Sequence, residues 1–269
     1  MLTYTFGFIG VGNMGGALAR AAAKTLSPTA MAVSSRTMEK AQAVASELGC
    51  DAVRNETAAG RSHFVFLGVK PQVMPGVLEE LSPILDQRKD EFCLVTMAAG
   101  LTTERICQMA KVRCPVIRIM PNTPAACGQG MILYARNDLV TEELLAEFLR
   151  GLAAAGRFDE LPENLIDAGS AVSGCGPAFA CQFIEALADG GVACGLPRAK
   201  AQLYAAQMLL GAASMVLESG RHPGELKDAV CSPGGTTIQG VRALEERGFR
   251  GAVTDAVIAA YEKTLLLAK

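Results

Sequence analysis

The stretch Phe6-Gly7-Phe8-Ile9-Gly10-Val11-Gly12-Asn13-Met14-Gly15-Gly16 decides how the rest of the chain reads. An apolar run (Tyr4, Phe6, Phe8, Ile9) stops at Gly10, Gly12 and Gly15, then passes into an Ala-rich helical run from Ala17 to Lys24. That order is strand, tight turn, helix. In a dinucleotide loop the glycines have distinct physical roles, since Gly10 permits the turn, Gly12 lets backbone approach a pyrophosphate, and Gly15 lets helix pack closely on strand. Backbone N–H groups and the positive end of the helix dipole then point at the phosphates, with Asn13 and Met14 in the cofactor-binding set. With 28 glycines in 269 residues such spacing also arises by chance as a structural turn. Its place between a strand-like and a helix-like segment gives it weight.

Working outward, 269 residues allow one large or two ordinary domains, each with a core. Half the residues are hydrophobic while aromatics are only 5% and Trp is absent, so a core of Ala, Val, Leu, Ile and Met is expected. The net charge of -2, with dispersed Lys and Arg, supplies no basic field for nucleic acid. No charged n-region with a long apolar h-region opens the chain, and no run of about 18 uncharged apolar residues follows. A soluble, cytoplasmic protein without membrane attachment is expected. The nine cysteines are odd in number and include no C-x-x-C pair, and most lie in apolar runs. They read as free, buried thiols rather than zinc ligands or disulfides. Two histidines, His63 and His222, leave little for a histidine-based metal site or triad.

Strand and helix patterns alternate through the first half. Ala30–Val33, His63–Val69, Phe92–Met97 and Val116–Met120 read as strands, with helices over Glu39–Leu48, Pro75–Leu85 and Thr102–Ala110. Gly130–Tyr134 and Gly156–Phe158 add edge strands around a helix from Glu142 to Ala153. From about Pro162 strand patterns vanish. Pro177–Cys194, Pro197–Ser219 and Thr237–Arg247 carry Ala- and Leu-rich helical periodicity. The expected fold is α/β: a Rossmann-type doubly wound sheet over residues 1–160, then an all-α dimerisation and substrate-binding domain over 161–269. Helices this apolar imply burial against a second subunit.

The chemistry-bearing positions fall where strands end. Where an NAD site places an acidic residue after its second strand, this chain has Ser34, Ser35, Arg36 and Thr37. A carboxylate there repels a 2'-phosphate, whereas hydroxyls and a guanidinium bind one, so NADPH is preferred over NADH. A solvated turn with Thr37 as a helix cap is the competing reading. Val69-Lys70-Pro71 and Ala98-Ala99-Gly100 follow two further strands at the carboxyl edge, where open α/β sheets bind ligands. Asn55 either bonds the adenosine ribose or caps a short helix. Met120-Pro121-Asn122-Thr123-Pro124 makes a rigid polar corner, and Asn122 joins the cofactor-binding set. In the helical half, Ser173-Gly174-Cys175-Gly176-Pro177 and Cys231-Ser232-Pro233-Gly234-Gly235-Thr236-Thr237 stand out. Pro177 is placed on the cofactor side. The second island sets hydroxyls and glycines at a helix start, a nest suited to a small carboxylate, or else an ordinary cap.

Together these motifs resemble the pyrroline-5-carboxylate reductase family along the whole chain. The resemblance runs from Gly7-Phe8-Ile9-Gly10 through Val69-Lys70-Pro71, Ala98-Ala99-Gly100 and Met120-Pro121-Asn122-Thr123-Pro124. It continues through Ser173-Gly174-Cys175-Gly176-Pro177-Ala178-Phe179 and Ala188-Asp189-Gly190-Gly191-Val192 to Leu226-Lys227-Asp228 and Ser232–Ile238. It implies reduction of 1-pyrroline-5-carboxylate to L-proline by NAD(P)H, the last step of proline biosynthesis, with NADH weaker than NADPH. It also implies that Thr237 hydrogen-bonds the imine nitrogen as the catalytic residue. Ser232, with Gly234, Gly235 and Thr236, holds the substrate carboxylate. Homodimers or higher homo-oligomers are implied, one subunit's helical domain completing its partner's site. Cys175 and Cys231 depart from the family's usual hydroxyl residues. A β-hydroxyacid dehydrogenase is the rival enzyme, but no lysine follows Gly176 before Lys200. A non-catalytic NADPH-sensing regulator is the rival from another class, and it gives Ser232–Thr237 no reason to combine hydroxyls with glycines.

Overall fold

Alternation on two strands builds the first core. Phe6 and Phe8 on β1 (Tyr4–Ile9) pair in register with Phe64 and Phe66 on β4 (Ser62–Leu67), so four rings land on one sheet face. Phe8 and Phe66 stack at 4.3 Å between centroids, and Phe148 closes the cluster from above. Five of the ten phenylalanines thus concentrate here. The expected purely aliphatic core is corrected: a low aromatic total says nothing about clustering when period-2 spacing directs every ring inward.

The computed structural model describes residues 2–267. In chain order, α1 (Asn13–Ala22), β2 (Met31–Ser34), α2 (Met38–Leu48), β3 (Asp51–Ala52) and α3 (Asn55–Arg61) lie between β1 and β4. Then follow α4 (Met74–Asp86), β5 (Cys93–Thr96), α5 (Thr103–Ala110), β6 (Val116–Met120), β7 (Gly130–Arg136), α6 (Glu142–Gly151) and β8 (Gly156–Glu160). The sheet order is β3-β2-β1-β4-β5-β6-β7-β8, parallel except that β7 runs against β6. Strand order reverses between β1 and β4, which makes a crevice at their carboxyl ends. Helices α1, α2 and α6 cover the phenylalanine face. The other face packs Val65, Leu67 and Leu94 against α3, α4 and α5. This is the doubly wound sheet expected from the sequence, edge strands included.

The helical half comprises α7 (Ile166–Ser173), α8 (Gly176–Ala193), α9 (Arg198–Ser219), α10 (Pro223–Val230), α11 (Thr236–Glu246) and α12 (Phe249–Leu267). One compact unit gathers the chain through Cys175 together with the stretch from Ala260, and the other is Gly176–Ala259. The sequence reading divides the chain at 160 instead. Helix α7 goes with the sheet because Ile166 is fully buried beside Leu133 of β7, and Gly169 approaches Leu133 so closely that a Cβ would lie 2.5 Å from its Cδ1. Arg118, buried on β6, ties α7 down through Asp167 at 2.5 Å. Glu163 reaches across to cap α5, accepting the Thr103 N–H at 2.7 Å.

The second unit has almost no interior of its own. Its buried side chains are three alanines (Ala188, Ala201, Ala205) and Leu226, while Leu203, Tyr204, Leu210 and Leu217 are each more than half exposed. Phe183 and Phe249 meet at 5.7 Å beside an apolar groove of about 570 Å³ between α8 and α12. The run 163–193 is apolar enough on average to cross a bilayer, but Gly174 and Cys175 break it, and it carries Asp167, Glu185 and Asp189.

Cysteine placement differs from expectation. Cys93 and Cys114 are buried, whereas Cys127, Cys181 and Cys194 are exposed. The last two sit on α8 and just beyond it, where an apolar sequence is not matched by a core within the unit.

Candidate active site

The three loop glycines answer to different forces. Gly10 adopts φ 95°, and a Cβ there would lie 2.7 Å from the Gly68 carbonyl oxygen. Gly15 sits against the Gly10 carbonyl, where a Cβ would come within 2.2 Å of oxygen. Gly12 is unlike both. Its φ is −73° and a Cβ would meet nothing within 4 Å, so no contact among the described residues demands glycine there. What a side chain at 12 would obstruct is the open space above the start of α1.

That helix start has the chemistry to hold an anion. Gly12 is its N-cap and no side chain caps it, which leaves the leading N–H groups of Asn13 and Met14 pointing outward with the dipole behind them. The loop is pinned from β2, since the Ser34 carbonyl accepts Gly10 N–H at 2.9 Å and Val11 N–H at 3.3 Å. It is pinned from β4 as well, where Gly68 N–H donates to Ile9 at 2.7 Å. Gly68 escaped the sequence reading. Its only signal is a glycine directly after a buried strand, yet a Cβ there would lie 2.4 Å from the Gly10 oxygen.

After β2 the hydroxyls separate. Ser34 is buried and donates its hydroxyl to Asn55 Oδ1, so its side chain serves the fold. Ser35 is half-buried and Arg36 exposed, and Arg36 makes no ion pair among the described residues. Thr37 holds the N-cap position of α2 without a side-chain bond. Asn55 opens α3 at its first helical position and, through Ser34, fixes the end of β2 to that helix.

Val69 and Pro71 are half-buried after β4, and Lys70 is exposed with its carbonyl accepting Val73 N–H at 2.9 Å. Ala98 is buried after β5, and Gly100 turns the chain at φ 74°. Asn122 is buried at the end of β6. Its Nδ2 donates to the Ser173 carbonyl at 2.9 Å and its Oδ1 accepts Met131 N–H at 3.0 Å. Sequence reading places Asn122 with the cofactor; the carboxamide spends both polar atoms holding β7 to the end of α7. Arg118, missed altogether, sits two residues before Met120, fully buried, with its Nε unpartnered in the interior.

In the second unit, Pro177 lies half-buried in the first turn of α8. Ser232-Pro233-Gly234-Gly235 forms a turn closed by Gly235 N–H to the Ser232 carbonyl at 3.0 Å, with Gly234 at φ 70°. Gly235 is the N-cap of α11, again without a side-chain cap, and a Cβ on it would lie 2.3 Å from Ser232 Oγ. Thr236 and Thr237 lead the helix and are exposed. Hydroxyl residues and several free N–H groups therefore converge on one uncapped helix start.

A glycine cradle at the switch point of a doubly wound sheet, followed by an all-helical unit, defines a nicotinamide-dependent oxidoreductase. Residues 5–100 match the family model described as NADP oxidoreductase, coenzyme F420-dependent, and residues 163–267 match pyrroline-5-carboxylate reductase dimerisation. Pyrroline-5-carboxylate reductase of Escherichia coli K12 is 41% identical over 266 residues, covering 98% of each chain. That of Pisum sativum is 40% identical over 264 residues, covering 97% of this chain and 95% of its own. The crystal structure of Plasmodium falciparum pyrroline carboxylate reductase with NADP bound matches at TM-score 0.88 and 29% identity, covering 100% of both chains. The chain belongs to the pyrroline-5-carboxylate reductase family.

Proposed function

We propose that this protein reduces 1-pyrroline-5-carboxylate to L-proline with NADPH, closing proline biosynthesis, and that it works as a homodimer or larger homo-oligomer in the cytoplasm. The observation that carries the reading is the exposed, uncapped start of α11, which offers Ser232, Thr236, Thr237 and free N–H groups to a small anionic substrate. NADPH, when bound, supplies hydride from its nicotinamide ring.

The chain's own residues bind and orient. Asn13 and Met14 N–H groups with the α1 dipole hold the pyrophosphate, over which Gly12 leaves room. Ser35 and Arg36 hold the 2'-phosphate through charge-assisted hydrogen bonds, and Ser34 supports them from below through Asn55. Val69–Pro71 and Ala98–Ala99 line the nicotinamide side. At α11, Ser232 with the Gly235 and Thr236 N–H groups anchors the substrate carboxylate, and Gly234 supplies the left-handed bend that aims them. The Thr237 hydroxyl hydrogen-bonds the imine nitrogen. A C=N carbon becomes electrophilic once its nitrogen is protonated or hydrogen-bonded, so this contact and the fixed carboxylate present one face to hydride. The exposed apolar faces of α9 and α12 support a homo-oligomer, and the charge of -2 gives no pull toward nucleic acid.

The test is nicotinamide oxidation with 1-pyrroline-5-carboxylate, NADPH beside NADH, for the wild type and Thr237→Ala. The expected result is turnover that favours NADPH, yields L-proline, and falls roughly 10²–10³-fold in the variant, the usual loss for one transition-state hydrogen-bond donor. Tight NADPH binding without turnover would replace the reductase by a sensor.

A further inference from the structure

The first unit carries a thiol pair that the reductase chemistry does not use. Cys107 lies in the last turns of α5 and is half-buried; Cys114, buried, follows the turn that leads into β6. The Cys107 thiol donates to the Cys114 carbonyl at 3.7 Å, which places the two cysteines side by side. Asn137 braces the pair. Its Nδ2 lies 4.0 Å from Cys107 Sγ and donates to the Cys114 carbonyl at 2.9 Å, while its Oδ1 accepts Val116 N–H at 3.1 Å. Between the cysteines Lys111 takes φ 55°, the only left-handed non-glycine conformation among the described residues, and this folds the chain back so that Cys107 Sγ reaches Cys114.

We propose that Cys107 and Cys114 form a thiol–disulfide exchange site for small-molecule disulfides of the glutathione type, with Cys107 attacking and Cys114 resolving. The environment suits that division. The Cys114 thiol, the Cys114 N–H and Arg113 favour a thiolate on Cys107 and outweigh its burial and the Asp138 carboxylate, so it is pushed down to about 6. Cys114 is pushed up, first by the Cys107 thiol beside it and then by burial. The group that reaches solvent is therefore the nucleophile, and the group behind it keeps its proton until needed.

The exchange balances in two steps. The Cys107 thiolate attacks one sulfur of the small disulfide, whose S–S bond breaks and releases one small thiolate. Cys114 then gives up its proton and attacks the Cys107 sulfur, which expels the second small thiolate and leaves a Cys107–Cys114 bond. Two protein thiols are oxidised and one small disulfide is reduced to two small thiols. Neighbouring Cys93 is fully buried, with its thiol pushed up by that burial, and takes no part. The pair sits at the amino end of β6, whereas the glycine cradle lies at the carboxyl ends of β1 and β4, so oxidation is expected to leave NADPH binding in place.

The experiment treats the reduced, full-length protein with oxidised glutathione near neutral pH, digests it with trypsin and reads the products by mass spectrometry. Cleavage after Arg105, Lys111, Arg113 and Arg118 separates 106–111 from 114–118, so the bond appears as a linked pair of peptides. The linked pair should dominate in the wild type. A glutathione adduct should accumulate on Cys107 in Cys114→Ser, and neither product should form in Cys107→Ser. Independently of variants, Cys107 should alkylate at least about 10-fold faster than exposed Cys127 near pH 7, as its thiolate fraction requires. Glutathione on Cys127 without the linked pair, or equal alkylation of the two thiols, overturns the proposal.

Discussion

At the residue scale, Gly12 and Gly15 look alike in sequence and differ in cause. A Cβ at Gly15 collides with the Gly10 carbonyl, whereas one at Gly12 meets open space. Gly15→Ala should therefore lose roughly 1–3 kcal/mol of stability in chemical denaturation, as overpacking does. Gly12→Val should lose no more than about 1 kcal/mol, the cost of a poorer N-cap residue where no clash is added. Titrated by nicotinamide fluorescence, it should bind NADPH at least ~10-fold more weakly, about 1.4 kcal/mol. Equal destabilisation by both substitutions would remove the case that Gly12 serves the cofactor. Arg36→Ala should raise KM for NADPH about 10-fold while leaving KM for NADH nearly unchanged, because only the former carries the 2'-phosphate. The glycine spacing, Arg36 and the Ser232–Thr237 island were legible because their meaning is local. Gly68, Ser34's bond to Asn55 and Asn122's grip on α7 were not, since each depends on a partner at least 21 residues away.

At the scale of elements, the strands and the long helices of the sheet followed from period and punctuation, with ends displaced by one or two residues except at α1, which begins four residues before the Ala-rich run that marked it. The helices that the sequence reading did not mark were α7, α10 and α12. Helix α7, Ile-Asp-Ala-Gly-Ser-Ala-Val-Ser, has weak intrinsic helix preference, and tertiary packing on β7 with the Arg118–Asp167 pair holds it. Helix α12 has apolar residues all round, so no single stripe marks it. The α7 latch can be measured. Arg118→Met leaves Asp167 without its cation and should cost about 3 kcal/mol in chemical denaturation, and adding Asp167→Leu should restore most of it. If the double variant is no more stable than the single, the ion pair is not what holds α7.

At the scale of the molecule, the two units differ in how far each is finished. The sheet unit has cores on both faces, while Gly176–Ala259 buries only three alanines and one leucine and displays apolar side chains along α9 and α12. Apolar composition announced this unit in the sequence, but its lack of an interior did not, because composition cannot tell burial within a chain from burial between chains. Val253→Asp, on the exposed apolar face of α12, should reduce the assembly to single chains by light scattering. It should abolish turnover and leave NADPH binding intact, because the glycine cradle belongs to the sheet unit. An assembled, active variant would contradict the role given to that face. The central claim, hydride delivered from a nicotinamide to the imine carbon of 1-pyrroline-5-carboxylate, is tested most directly with NADPH carrying deuterium at the transferable C4 position. Mass spectrometry of the product should find L-proline with one deuterium on the ring carbon that was doubly bonded to nitrogen; oxidation of the cofactor without labelled proline would contradict the account.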